Sequence, residues 1–129
     1  MEKKDTTTTK VTRQPRTPRL KYEKEVNVRM LEDGTMYFAA SLTTTVDASN
    51  YVPIGRVQVP DGYALILNGS DYGMTHSLII PEQIIIGDVY VQLPCVNFSS
   101  ELRRIYTGDV IAKGVLVKIS DKVVLEKIQ

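Results

Sequence analysis

The fold of this chain is decided by three stretches: PDGYALILNGSDYG (60–73), PEQIIIGDVYVQL (81–93) and IYTGDVIAKGVLV (105–117). Each stretch combines β-branched or aromatic residues with glycine and aspartate at its turns, a pattern typical of short strands. Further strands are predicted on both sides, at VNVRML (26–31), GTMYFAASLTTT (34–45), YVPIGRVQVP (51–60) and KVVLEKI (122–128). The sequence therefore predicts an all-β domain, a sandwich or barrel of short antiparallel strands.

Helical signals are nearly absent. SSELRRIY (99–106) has Ser99 or Ser100 as a suitable N-cap and an acidic residue in its first turn, but it is short, so we expect one turn at most. NGSDYG (68–73) is instead predicted to be a turn, because it clusters the residues that favour turns.

The composition limits the classes of protein that this chain can form. A chain of 129 residues with 43% hydrophobic residues is long enough for one compact domain. No run of 18 apolar residues predicts a membrane span, and no apolar N-terminal segment predicts a secretory signal. The single cysteine, Cys95, is expected to be a small buried residue. With only one histidine, His76, the usual zinc sites are excluded, and His76 is expected to have a structural role.

Charge is unevenly distributed along the chain. Residues 1–25 carry eight Lys or Arg against four acidic residues, a net +4, whereas residues 26–129 sum to −3. We predict a basic extended arm over residues 1–22 and one β domain over residues 23–129. The arm is either a solvated tail or a segment that lies on a partner, such as an acidic protein surface or nucleic acid. We favour the second alternative, with contacts from Lys10, Arg13, Arg16 and Arg19.

Several motifs resemble a known family. Gly-Asp-Val-Ile-Ala-Lys (108–113) is similar to the Gly-Asp-Arg-Ile-Ala-Gln motif of trimeric dUTPases, a family related in fold to dCTP deaminases. Asn97 precedes Gly108 by 11 residues, which matches the interval in that family, and Pro-Asp-Gly-Tyr (60–63) resembles its Pro-x-Gly-Tyr motif. The resemblance covers about half of the chain. It implies a β-jelly-roll protomer, a homotrimer with active sites between subunits, and hydrolysis of dUTP with magnesium.

The positions that hold phosphate and metal in that family carry other residues here. The counterpart of the first motif, TMYFAA (35–40), contains no acid that could bind the metal through water. Asn68-Gly69-Ser70 stands where the family has Arg-Ser-Ser, so the guanidinium fork that binds phosphate is lost.

The later motifs also differ. Ile85 occupies the place of the tyrosine that stacks on deoxyribose, and Val110 and Lys113 replace an arginine and a glutamine. No glycine follows Gly114, so SDKVVLEKIQ offers no counterpart of the family's Gly-rich arm.

Three residues remain as degenerate positions of the family's site: Ser70, Glu82 and Asp109. Glu82 lies near the position of the catalytic aspartate, but its extra methylene displaces the carboxylate by about an ångström, enough to cost about 100-fold in rate. Asp109 is expected to hydrogen-bond its own turn. We therefore predict no catalytic, cofactor-binding or metal-binding residue, and we expect a protein that is not an enzyme.

The resulting hypothesis is a non-enzymatic structural protein. A dUTPase-fold homotrimer would be a building block or anchor, tethered by its arm to other structural proteins. The expected location is a phage virion assembled in the host cytoplasm, as a head-decoration, fibre-anchoring or vertex protein, with no membrane partner. One alternative is a divergent nucleotide pyrophosphatase that uses Glu82 and Ser70 with magnesium. Another is a regulatory or nucleic-acid-binding module.

Overall fold

The computed structural model describes residues 17–119 and 122–129, so most of the predicted arm lies outside the described residues. The described residues form short antiparallel strands and one short helix, which confirms the predicted all-β class. In chain order the elements are β1 (Lys21–Tyr22), β2 (Val28–Met30), β3 (Met36–Ala39), β4 (Thr44–Val46), β5 (Ser49–Gln58), β6 (Tyr63–Asn68), α1 (Ser70–His76), β7 (Leu78–Ile79), β8 (Gln83–Ile85), β9 (Asp88–Asn97), β10 (Arg103–Ile105) and β11 (Val110–Lys118).

The strands form two large sheets and a small one. The four-stranded sheet has the order β1-β5-β9-β7, and the five-stranded sheet has the order β2-β3-β11-β6-β8. The pair β10-β4 forms the third sheet. The small arm strand β1 pairs with β5 at the edge of the four-stranded sheet, through Lys21 opposite Gln58. The last two residues of the predicted arm therefore belong to a sheet of the domain.

A single apolar core joins the sheets. Its fully buried side chains include Phe38, Leu65 and Leu67 of the five-stranded sheet, Ile54 and Leu93 of the four-stranded sheet, and Val46 and Ile105 of the small sheet. The prediction for Cys95 is confirmed, because its side chain is only 1% exposed within this core. Burial raises the pKa of the Cys95 thiol to about 11, since the apolar surroundings disfavour the thiolate.

Gly114 shows how tightly the core is packed. A methyl group added at Gly114 on β11 would lie 2.9 Å from Cε1 of Phe38 and 3.0 Å from Cδ2 of Leu67. These distances are shorter than van der Waals contact, so only glycine lets β11 lie against the core here. The similar-looking glycine of the quoted motif therefore has a packing role.

The prediction of a turn at NGSDYG is wrong, because this segment opens the helix α1. The carboxamide oxygen of Asn68 accepts a 2.8 Å hydrogen bond from the backbone N–H of Ser70, which holds the start of the helix in place. Gly73 then allows the helix to contact the carbonyl of Leu78, where a side chain would clash. Turn residues and helix-start residues overlap in type, so the local sequence did not separate the two outcomes.

The prediction of a helical turn within residues 99–106 is also wrong. Arg103–Ile105 form β10, which pairs with β4. Asn97 prevents a helix by binding this segment to the sheet: its amide donates to the carbonyls of Val46 (3.0 Å) and Glu101 (2.7 Å). Its carboxamide oxygen accepts from both the backbone N–H and the hydroxyl of Ser99. The resemblance at Asn97 is thus explained by a structural role.

The segment KVVLEKI, predicted to be a strand, has no strand neighbour in the structure. Residues 122–129 are extended beyond β11, and all of their side chains are exposed. As a description of a single chain, the strand prediction is therefore wrong.

Candidate functional site

The residues that match the family's site surround the helix α1 and the turn before β11. Ser70 begins the helix, and its side chain is exposed. Asn68, at the end of β6, stands in the place of the phosphate-binding arginine, and its carboxamide is engaged with the helix start. Neither residue brings a positive charge to this place, so phosphate recognition would have to come from other groups.

Asp109 has the role in its own turn that the sequence predicts. Its Oδ2 accepts a 3.0 Å hydrogen bond from the backbone N–H of Tyr106, which closes the turn at Gly108. The same oxygen accepts a 3.0 Å bond from the hydroxyl of Tyr72 on α1. Burial, followed by this bond to Asp109, raises the pKa of Tyr72 above its ordinary value. Asp109 therefore fastens the helix to the turn.

The only histidine of the sequence packs on the same helix. The rings of Tyr72 and His76 are stacked, with centroids 3.8 Å apart and planes inclined by 7°. His76 Nδ1 also lies 2.8 Å from the carbonyl oxygen of Tyr72 and 2.8 Å from the hydroxyl of Thr75. These contacts fit the structural role that the sequence predicts for His76.

A small hollow lies between the helix and β11. It measures about 50 Å³ and is lined by Tyr37, Asn68, Asp71, Tyr72, Val110, Ile111, Ala112 and Lys113. The ammonium of Lys113 lies 3.4 Å from the carboxylate of Asp71, so the two charges at its mouth neutralise each other. Small-molecule sites usually measure about 300–1,000 Å³, so this hollow within one chain does not hold a nucleotide.

Glu82 is not brought to the other candidate residues. It lies exposed directly before β8, and its backbone carbonyl accepts a bond from its neighbour Gln83. Among the described residues, no hydrogen bond or ion pair joins Glu82 to Ser70 or Asp109. The structure thus brings Asp109 against the helix that Ser70 begins, and it leaves Glu82 apart from both.

A metal centre does not fit these residues. Across residues 17–119 and 122–129, no group of three or more His, Cys, Asp or Glu side chains is placed to hold a metal ion. Within the same residues, no helix is long and apolar enough to cross a membrane.

The arm can be described only in part. Lys10, Arg13 and Arg16 lie outside the described residues, whereas Arg19 is described and exposed. Residues 17–22 line two open hollows of about 460 and 470 Å³, one beside Gln58 and Tyr63 and the other beside Val28 and Met36. The described end of the arm therefore lies on the domain surface with open space on both sides.

Sequence reasoning missed an ionic cluster on the four-stranded sheet. The guanidinium of Arg56 binds both carboxylate oxygens of Asp88, at 2.8 and 2.6 Å, and lies 3.4 Å from Glu23. Gln58 donates a further bond to Asp88. The Arg56 bonds, chiefly, lower the pKa of Asp88 to about 2. The signal could have been found only from the pairing of β5 with β9, which places residues 32 positions apart side by side.

Comparison with known proteins adds one finding. No protein-family model matches the sequence, and no curated protein matches it. Solved structures do match. A point variant of the dUTPase of Staphylococcus bacteriophage 80alpha, solved with dUpNHpp, has a TM-score of 0.67 at 18% identity, covering 89% of this chain and 92% of that chain.

Two further dUTPases give the same result. The dUTPase from phage phi11 of S. aureus has a TM-score of 0.67 at 14% identity, covering 88% of this chain and 97% of its own. The native dUTPase of EIAV has a TM-score of 0.65 at 16% identity, covering 86% and 98%.

These neighbours correct one prediction. The expectation that the protein is not an enzyme is contradicted, because each of these neighbours is a dUTPase, which is an enzyme. We therefore withdraw that expectation. At 14–18% identity the likeness shows the architecture of the chain and no reaction. The described domain has the dUTPase-like β fold.

Proposed function

We propose that this chain is a self-associating subunit, a dUTPase-fold trimer that serves as a building block of a larger assembly and is attached to it by its basic arm. The assembly that we propose is a phage particle formed in the host cytoplasm, in which the trimer has a decorating, fibre-anchoring or vertex role. Phage dUTPases among the structural neighbours support a link to phages.

The observation that carries this proposal is a set of apolar side chains on the outer face of the five-stranded sheet. Val115 on β11 is paired with Ile66 on β6, which is paired with Ile84 on β8. Directly opposed residues share one face of a sheet, so these three side chains form a continuous row across three strands. We call Ile84, Ile66 and Val115 the apolar row.

The apolar row faces solvent in the single chain. Ile84 is 67% exposed and Val115 is 40% exposed, while Ile66 between them is partly covered. Two neighbouring residues, Val117 on β11 and Ile86 after β8, are exposed as well. Large contiguous apolar surface on a folded domain marks a contact with another protein. The row therefore supports burial between subunits.

The arm supports attachment. A +4 segment on a −3 body separates the charges, so the arm suits an acidic partner surface better than the subunit's own domain. A trimer would present three such arms, and linked weak contacts of this kind increase overall affinity through effective concentration.

The mass of the purified protein in solution tests the self-association. We expect three times the 14.5 kDa of one chain. The attachment is tested by expressing tagged chains in cells that assemble phage particles and measuring the tag in purified particles. We expect the full chain to copurify with particles, and the variant that lacks residues 1–20, or carries alanine at Lys10, Arg13, Arg16 and Arg19, to be lost from them.

A nucleotide assay and a binding assay distinguish the competing functions. Turnover of dUTP with magnesium, abolished by Glu82→Gln in a folded trimer, would assign the reaction of the structural neighbours to this chain and overturn the building-block role. Binding to nucleic acid that weakens steeply with salt, and is lost with residues 1–20, would indicate a nucleic-acid-binding module instead.

A further inference from the structure

Residues 122–128 expose more apolar surface than any part of the sheets. Val123 is 76% exposed, Val124 is 83% exposed, and Leu125 and Ile128 are both 95% exposed. Large aliphatic side chains are normally buried in a folded protein, and several adjacent exposed ones indicate a missing contact. The segment, which we call the tail strand, is therefore incomplete as a single chain shows it.

The tail strand has the composition of a β-strand and no strand beside it. Valine, leucine and isoleucine follow one another with a single acidic residue between them, a pattern that predicts a strand. In the structure it pairs with none of the strands of its own chain. A strand obtains its backbone hydrogen bonds from a neighbour, so the neighbour must come from another chain.

The fold offers one suitable edge to receive it. The five-stranded sheet ends at β2 and β8, and the four-stranded sheet ends at β1 and β7. β1 and β2 carry Lys21 and Arg29, and β7 is only two residues long. β8 consists of Gln83, Ile84 and Ile85, with no charge and no proline, so it lacks the features that normally block pairing at an edge.

The side chains of both partners are complementary at this edge. Alternation along a strand puts Val123 and Leu125 on one face and Val124 and Ile128 on the other. One pair would extend the apolar row beyond Ile84, and the other would pack beside the half-buried Ile85 beneath it. The exposed carboxylate of Glu82, directly before β8, lies at the end of the edge, where Lys127 supplies the opposite charge.

We propose that the tail strand of one copy adds to the β8 edge of a second copy and covers the apolar row. The inference rests on the self-association in the proposed function and states how that association is made. Donor and acceptor are different parts of the chain, so the contact is head-to-tail, and it leaves no unpaired tail or edge only if the copies close into a ring. A ring of three satisfies this condition.

Cysteine cross-linking between two tagged chains tests the contact, in a Cys95→Ser background. A chain with Leu125→Cys is coexpressed with a differently tagged chain that carries Ile84→Cys, and the purified protein is oxidised. We expect a disulfide-linked pair that contains both tags. Val123→Cys replaces Leu125→Cys in a second pairing, because it samples the next position on the same face. Met74→Cys on α1, which is 80% exposed and remote from sheet edges, is the matched acceptor control and should give no mixed product.

Deletion of residues 122–129 provides the second readout. We expect the deleted chain to keep its far-UV spectrum and to run as a monomer, whereas the parent runs as a trimer. A deleted chain that remains trimeric, or a chain with both cysteines that cross-links only within itself, would overturn the tail-strand contact and leave the trimer intact. A parent chain that is monomeric would instead reject the proposed self-association itself.

Discussion

The two faces of β11 differ in how far a single chain completes them. On the inner face, Gly114 lies so close to Phe38 that a methyl group has no room. On the outer face, the next residue, Val115, points into solvent beside Ile66 and Ile84. Both faces are apolar, so hydrophobicity alone does not distinguish them. The difference shows that the chain fills its own core and leaves a second apolar surface for a partner.

Gly114→Val tests the inner face most strongly. The added side chain must push Phe38 and Leu67 apart, so we expect the free energy of unfolding to fall by about 3 kcal/mol. Urea denaturation followed by circular dichroism measures this change. Val115→Thr, one residue further on and facing outward, is the control and should change stability by less than about 1 kcal/mol. A Gly114→Val protein as stable as its parent would show that the core is looser than the structure indicates.

Asn97→Ala removes the bonds that hold residues 97–101 to β4. The carbonyls of Val46 and Glu101 lose their donor, and the amide and hydroxyl of Ser99 lose their acceptor. We expect a loss of about 2 kcal/mol in the free energy of unfolding, because unsatisfied polar groups keep their desolvation cost. Thermal and urea unfolding measure it, with Asn50→Ala on the exposed part of β5 as the comparison. An equal effect of both substitutions would contradict the special role of Asn97.

Ile84→Lys tests the outer face. Since Ile84 is exposed in the single chain, we expect the stability of the domain to change by less than about 0.5 kcal/mol. The trimer, however, should dissociate, because a lysine on the apolar row would be buried without a partner at the interface. Mass measurement over a concentration series decides between these two effects. A variant that unfolds rather than dissociates would place Ile84 in the core of its own chain.

Cys95 reports on the inner packing through pH. Its thiol has a pKa of about 11, above its ordinary value of 9.0, so the folded state favours the protonated form. The unfolded chain ionises first as pH rises, and the stability contributed by the neutral thiol is therefore lost between about pH 9 and pH 11. We expect slow reaction with a thiol reagent at pH 8 until urea unfolds the chain, and a flatter pH dependence for Cys95→Ser. Rapid labelling of the native protein would contradict a closed core.

Asp88→Asn should have the smallest effect. Asp88 and Arg56 form an exposed pair, and such pairs stabilise proteins little. The pKa of Asp88 is lowered to about 2 from 3.8, so the contribution of the pair is present at neutral pH and is lost as pH falls from about 4 to 2. Urea midpoints between pH 2 and pH 7, at low and high salt, measure it. A midpoint difference that persists at high salt and low pH would exclude an electrostatic origin.

The accuracy of prediction differed between the fold and the site. Strand alternation and turn glycines predicted the all-β class, and the buried Cys95 and the turn role of Asp109 are confirmed. The helix at Ser70–His76 was missed, because its start uses the same residue types as a turn. The Arg56–Asp88 pair was missed because it depends on which strands are neighbours, and local sequence does not contain that information.

Sequence by itself determined what depends on local chemistry. It established the strand-forming segments, the uneven charge of the arm, and the replacement of the phosphate-binding arginine by Asn68, because each is a property of residue type and order. Tertiary structure alone decided which apolar residues are satisfied. Phe38 and Ile84 look alike as strand residues, but one is fully buried and the other is 67% exposed. Burial depends on what packs against a face, and that is set by strand order and by the partner chain.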